Sequence, residues 1–293
     1  MKVGVIIPTV NRSKLVTRLL SLLEEQSRAP DEVIVSAPDE SHVEPYAPSR
    51  FALSFCYGPP GLCAQRNRAM EIMLPRADVI SFFDDDFLPG RDYLAHIEAA
   101  LTANPDWAVI NGYLIADGAH SPTGYTFEEG LALLRAAEAK GGCPNPGYAR
   151  TQPGAYGCNM SIRARHVGAL RFDERLPLYG WQEDIDFTSQ LGAFGRIVSI
   201  GEPMGVHLAE KSGRVSGVKF GYSQVSNPVY LMRKGTMPIW FGLELMFRNI
   251  AANLVKSIRP EALIDRRGRL NGNLRALAHL ARGRIEPEYI LKL

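Results

Sequence analysis

The sequence predicts an α/β protein, a mostly parallel central sheet with helices on both faces, followed by a helical, basic C-terminal extension. Three observations carry this. Short apolar runs bounded by Pro, Gly or acidic residues alternate with stretches of helical periodicity over residues 3–115, the pattern of strand–helix–strand units with parallel strands. A length of 293 residues with 46% hydrophobic and 22% charged content fits a globular chain with a large core. The charge then changes sign along the chain. Residues 1–210 hold 18 Lys+Arg against 26 Asp+Glu, a net −8, while residues 211–293 hold 15 against 5, a net +10.

The first strand covers 3–7 and ends at Pro8-Thr9. Asn11 or Ser13 can cap the helix that follows, where Leu15, Leu19, Leu22 and Leu23 recur at helical spacing. A second strand at 32–35 lies between Pro30 and Pro38, and a third covers 51–55. The turn 57–61, rich in Gly and Pro, leads into a helix over 62–73, and a fourth strand covers 78–83. A further helix runs to about Thr102, with a strand around 107–115. Residues 117–156 are rich in Gly and Pro with one helical stretch near 127–139, a composition suited to a binding loop or lid. Extended chain is expected at 157–163, a turn and helix at 180–194, and short strands at 196–200 and 205–208. In such sheets ligands bind at the carboxyl ends of the strands, so Thr9, Ser36 and Asp84 can converge.

The extension changes character. Ile239, Leu243, Met246, Phe247, Ile250, Leu254 and Ile258 recur at helical spacing, with Trp240 and Phe241 at the start. Such a stripe either lies in a membrane interface or packs on the preceding α/β body, and both fates stay open. A shorter helix is expected over 270–280 among several arginines. The basic balance suits an anionic surface such as phospholipid; on charge alone nucleic acid would also serve. Cys56, Cys63, Cys143 and Cys158 form neither a CxxC pair nor a zinc spacing, so a reducing cytoplasm is expected. The first apolar run is too short for a signal peptide, and no run long enough for a spanning helix occurs.

Asp84, Asp85 and Asp86 close the fourth strand. One Asp there would be an ordinary turn or cap residue. Three adjacent carboxylates repel one another unless a cation sits between them. Hard divalent cations take carboxylate oxygens and keep phosphate oxygens as further ligands, so the triplet suggests a metal–diphosphate site. A second acidic group, Glu183-Asp184-Ile185-Asp186, stands at the start of a predicted helix, where the helix dipole favours carboxylates. It can be a cap, or it can supply a general base.

Taken in order, six segments acquire a likeness. They are 5–12 (Val-Ile-Ile-Pro-Thr-Val-Asn-Arg), 32–36 (Glu-Val-Ile-Val-Ser), 61–67 (Gly-Leu-Cys-Ala-Gln-Arg-Asn), 83–86 (Phe-Asp-Asp-Asp), 157–163 (Gly-Cys-Asn-Met-Ser-Ile-Arg) and 180–184 (Gly-Trp-Gln-Glu-Asp). From residue 3 to about 208 the chain resembles a family 2 glycosyltransferase of the inverting GT-A type, whose central sheet is Rossmann-like. The resemblance implies a catalytic domain over 1–210, with a nucleotide-sugar half to about 115 and an acceptor half beyond it, then the amphipathic region 211–293. It gives Pro8, Thr9, Asn11 and Arg12 to the nucleotide loop, Ser36 and less directly Asp39 to the base, and Arg66 to the base or phosphates. Asn67 would fix the loop from its helix. Asp84 would meet the ribose and the metal, Asp86 the metal, and Asp85 can replace either. Gly157, Asn159 and Arg163 would line the donor-sugar pocket, and Trp181 would stack on a sugar ring. Asp184 would be the general base, with Glu183 beside it binding the acceptor or orienting the base, while Asp186 would cap or face solvent. His207 would be a third metal ligand.

The implied cofactor is Mn²⁺ or Mg²⁺, and the implied donor a nucleoside-diphosphate sugar, UDP by family habit. The implied acceptor is a saccharide, or a lipid-linked oligosaccharide met at the inner face of the cytoplasmic membrane during polysaccharide assembly. Two other classes compete. A nucleotidyltransferase would need a Gly-rich basic loop after the first strand, which Pro8-Thr9-Val10-Asn11-Arg12 lacks. A non-catalytic nucleotide-sugar-binding protein would have no use for two intact acidic groups. A nucleic-acid partner rests only on the basic tail and is not expected.

Overall fold

The computed structural model describes residues 1–121, 123–210, 216–259 and 264–293. The α/β body begins β1 (Val3–Pro8), α1 (Ser13–Glu24), β2 (Glu32–Ala37), β3 (Ala52–Tyr57), α2 (Leu62–Met73) and β4 (Val79–Phe83). It continues β5 (Phe87–Pro89), α3 (Tyr93–Ala103), β6 (Trp107–Asp117), α4 (Phe127–Ala139), β7 (Ala149–Thr151), β8 (Asn159–Arg163), α5 (Glu183–Leu191) and β9 (Arg196–His207). Three helices follow: α6 (Gly217–Lys234), α7 (Ile239–Lys256) and α8 (Arg266–Ala281).

The described strands form one nine-stranded sheet in the order β3-β2-β1-β4-β8-β6-β9-β5, with β7 also paired to β9. Strands β1, β2, β3 and β4 pair in parallel. β8 is inserted antiparallel between β4 and β6, and β6 pairs parallel with β9. Six strands therefore point the same way, and their carboxyl ends share one edge. The expected short strands at 196–200 and 205–208 are one bent strand, β9, whose pairing with β6 shifts register three times. The three-residue strands β5 and β7 carry too little sequence to reveal themselves.

Strand alternation divides the core between the two faces. Val5 and Ile7 of β1 pack with Leu19, Leu20 and Leu23 of α1 and with Leu94 and Ile97 of α3. Ile6 points the other way, to Met70 and Met73 of α2 and Phe187 and Leu191 of α5. Helix α4 starts where expected, held by a capping box between Thr126 and Glu129.

Helix α6 was not evident in the sequence. Ser223, Gln224, Ser226 and Asn227 are buried in it and Pro228 lies inside it. Ser223 and Ser226 donate within the helix, to the Phe220 carbonyl and to Asn227 Oδ1, and Asn227 donates to the Trp181 carbonyl. Gln224 donates to Asn249 Oδ1 and accepts from Asn253, each at 2.8 Å, and Asn273 donates to the Gly221 carbonyl at 2.6 Å. A Cβ at Gly221 would lie 2.0 Å from the Arg269 carbonyl oxygen, so glycine is what lets α6 and α8 approach this closely.

Candidate active site

The carboxyl edge of the sheet gathers the predicted residues. β1 and β2 end together, Pro8 opposite Ser36. Gln65 of α2 clamps them, its Nε2 donating 2.8 Å bonds to the carbonyls of both Thr9 and Ser36. Asn11 follows in the left-handed region, φ 59°, which short polar side chains tolerate. Arg12 then reaches back across the edge, 2.8 Å from Asp85 Oδ1 and 3.4 Å from Asp86 Oδ2.

The three carboxylates of the triplet differ in what they touch. Asp85 is buried and faces the loop after β1, accepting a 2.7 Å bond from the Thr9 hydroxyl as well as that of Arg12. Burial raises its pKa, against the pull of Arg12. Asp84 and Asp86 face His207, which ends β9. One ligand atom from each of the three lies within 4.8 Å of the others. His207 Nε2 is 3.5 Å from Asp86 Oδ1 and its Nδ1 is 2.8 Å from Asp117 Oδ1, at the end of β6. The Tyr156 hydroxyl stands 3.3 Å from the same Nδ1. A carboxylate on Nδ1 fixes the ring and leaves Nε2 facing the aspartates, the support metal-binding histidines usually have. Burial alone would discharge His207, but Asp86 and Asp117 hold its pKa up at about 10. Burial would likewise raise Asp86; His207 and Arg12 outweigh it and hold that carboxyl below the ordinary range.

The second acidic group opens α5. Gln182, at φ 76°, makes the left-handed turn that starts the helix and aims Glu183 and Asp184 at the triplet. Arg66 of α2, fully buried, lies between the two groups. It donates to Glu183 Oε1 at 2.5 Å, to Asp84 Oδ1 at 2.8 Å and to the Gly157 carbonyl at 3.0 Å. Asp184 Oδ2 accepts from the Gly157 amide at 2.8 Å, and its Oδ1 from Ile185 N–H at the same distance. A Cβ on Gly157 would sit 3.1 Å from Asp184 Cβ and 3.2 Å from the Arg66 guanidinium nitrogens. Burial raises the Asp184 pKa more than the two amides lower it, and burial with the Asp184 charge pushes Glu183 up as well. The two acidic groups are thus neighbouring walls of one site, joined by a guanidinium.

Several expected placements need correction. Arg66, given to the base or phosphates, is engaged by Glu183, Asp84 and the Gly157 carbonyl. Asn159 lies at the site end of β8 but turns inward, its Nδ2 donating to the Gly112 carbonyl at 3.1 Å. Arg163 is at the other end of that strand, opposite Val79, about 13 Å away at the usual rise per residue. There it donates to the carbonyls of Trp107, Leu101 and Asn104. It belongs to the packing of α3, not to a sugar pocket. Asp39 caps a short turn through the Ser41 amide. Ser36 is buried with its hydroxyl accepting from Arg68 at 3.1 Å. Asp186 neither caps nor meets solvent: it is buried, 2.7 Å from Lys234 Nζ and 2.6 Å from the Thr236 hydroxyl. Asn67 holds the backbone at Phe172 through both ends of its amide.

Asp117, Tyr156 and Phe220 belonged to no motif in the sequence. Asp117 and Tyr156 at His207 are single residues in loop-rich sequence. Trp181 is half-buried with its ring 6.0 Å from Phe220 of α6, and half-exposed Tyr179 stands 6.2 Å from the same ring. The three rings form an aromatic wall beside the second acidic group, one of them from the C-terminal helices.

No protein-family model matches the chain, and no curated protein matches it. Solved structures do. S. aureus TarS 1–349 in complex with UDP aligns at a TM-score of 0.53 and 16% identity, over 99% of this chain and 89% of that one. The mannosyltransferase PcManGT from Pyrobaculum calidifontis, in complex with GDP-Man and Mn²⁺, aligns at 0.50 and 18%, over 99% and 78%. S. aureus TarS aligns at 0.50 and 17%, over 79% of this chain, which spans 40% of its length. At these identities the likeness is one of fold: the sheet and its helices are arranged as in these glycosyltransferases, the GT-A arrangement the sequence suggested.

Proposed function

We propose that this chain is a metal-dependent, inverting glycosyltransferase. It moves a sugar from a nucleoside-diphosphate sugar to a hydroxyl of a saccharide acceptor. The observation that carries the reading is the meeting of Asp84, Asp86 and His207 with Glu183 and Asp184 in one site spanned by Arg66. The solved GDP-Man and Mn²⁺ complex of a protein of the same fold supports it.

Asp84, Asp86 and His207 would hold the cation, with Asp117 orienting the imidazole. Two carboxylates and an imidazole suit Mn²⁺ better than Mg²⁺, which prefers an all-oxygen shell. A cation held by these residues would supply charge neutralisation for the leaving diphosphate. Thr9, Asn11 and Arg12 form the nucleotide loop, with Pro8 and Ser36 fixing its backbone. Asp184 is the general base. Its Oδ2 is held by the Gly157 amide, and burial keeps it more basic than an ordinary carboxylate, which favours taking the acceptor's proton. Glu183 with Arg66 positions that end of α5. Attack from the face opposite the leaving group inverts the anomeric centre, so an α-linked donor yields a β-glycoside. Trp181, Tyr179 and Phe220 offer apolar faces for the acceptor ring. The acceptor reading extends to lipid-linked saccharides presented at a membrane surface. The test is product analysis with UDP- and GDP-sugars and Mn²⁺. Release of nucleoside diphosphate with a glycosylated acceptor supports the reading; release of pyrophosphate replaces it with nucleotidyl transfer.

A further inference from the structure

Helix α7 has two unlike sides. Gly242, Met246 and Asn253 are buried on one, and Phe241 packs on the core of the catalytic body. The other side is apolar and open. Ile239 is 66% exposed, Trp240 65%, Leu243 54%, Phe247 73%, Leu254 56% and Ile258, just beyond the helix, 79%. At 100° per residue these six fall within a sector of about 100°. Singly exposed apolar residues are ordinary. A continuous face of six large ones along a helix about 27 Å long is an interaction surface.

Charge decides what covers it. The region 211–293 carries a net +10. Arg248, Lys256 and Arg259 on and just after α7 are exposed on its remaining, polar side, and the acidic residue at the edge of the apolar sector, Glu244, lies 3.5 Å from Arg248. A second copy of this chain would bring two such regions together and repel itself. An anionic bilayer attracts the same charges, takes up the apolar side chains, and seats a tryptophan at headgroup depth. No helix of the described residues is long and apolar enough to cross a membrane, so α7 would lie in the interface rather than span it.

We propose that the Ile239–Ile258 face of α7 docks this protein flat on an anionic lipid bilayer. The face is tied to the site. Lys234, the last residue of α6, and Thr236, on the turn to α7, both bind Asp186 of α5, the helix that starts with Glu183 and Asp184. Docking therefore sets the angle between the bilayer and the site. The proposal rests on glycosyl transfer only for what the bilayer presents, a lipid-linked acceptor.

The test uses the full chain with vesicles of phosphatidylcholine alone and with added phosphatidylglycerol, read by co-sedimentation and by tryptophan emission. The expected result is partition onto the anionic vesicles, weakened by salt, with a blue shift that is lost in Trp240→Phe. The double variant Trp240→Ser/Phe247→Ser, with an unchanged circular dichroism spectrum, should partition about tenfold less. Equal partition of parent and double variant, or no partition of the parent, overturns the proposal. So does a solution dimer that the double variant dissociates, which would assign the face to a second copy. Vesicle binding without nucleotide-sugar binding would remove glycosyl transfer and leave the docking. Transfer to a soluble acceptor without vesicle binding would do the reverse.

Discussion

Replacing Arg66 by Met tests the joint between the two acidic groups. The guanidinium is fully buried and makes ion pairs to Asp84 and Glu183. Met keeps much of its volume but leaves the Glu183 carboxylate buried without a partner. Breaking a buried pair in this way costs about 3–5 kcal/mol. At about 2 cal/mol/K per residue, 293 residues give an unfolding entropy of about 0.6 kcal/mol/K, so Tm should fall by about 5–8 °C. Glu183→Gln in the same background removes the stranded charge and should restore part of that loss, a coupling of about 1 kcal/mol or more between the two positions. The assay is thermal unfolding of the parent, both single variants and the double variant at one pH. A Tm within 1 °C of the parent for Arg66→Met, or strictly additive single effects, would refute the claim that Arg66 is the structural bridge.

The other predictions concern the chemistry. Asp184→Asn should retain nucleotide-sugar binding in calorimetry and lose about 10²–10⁴ in transfer rate; unchanged turnover removes the base assignment. Because burial raises the Asp184 pKa and the base must be ionised, transfer should fall as pH drops through a value above the ordinary 3.8. The residual rate of Asp184→Asn should lack that acid limb, and an identical limb in both proteins contradicts the assignment. Phe220→Ala should raise the acceptor KM severalfold while leaving donor hydrolysis without acceptor unchanged. Equal effects on both would make the ring a packing residue only.

How much of this could be read from sequence depends on the kind of signal each residue carries. β1, β2 and β4 are apolar runs ending at Pro8, Ser36 and Asp84, so the carboxyl edge and the residues on it were legible. The triplet and the Glu183-Asp184 pair are clusters, and clusters survive uncertainty in register. Arg163 did not, because a motif read as one unit spans a whole strand, and four residues along β8 lead from the site to the opposite edge. Arg66 was recognised as important but its partners come from β4 and α5, a meeting that only the fold creates. Asp117 and Tyr156 find His207 by the same route. Helix α6 hid behind buried Ser, Gln and Asn residues that read as surface in sequence, and behind Pro228. The stripe on α7 was visible, but which way it faced was not, since periodicity marks a face without saying what meets it.

Calorimetric titration of UDP- and GDP-sugars, with and without Mn²⁺, into the parent and into Asp86→Ala tests the shared metal–nucleotide site most directly. The account predicts Mn²⁺-dependent binding of at least one nucleotide sugar by the parent and its loss in Asp86→Ala, with no change in fold by circular dichroism. Binding that is as tight without Mn²⁺, or that persists in Asp86→Ala, would contradict it.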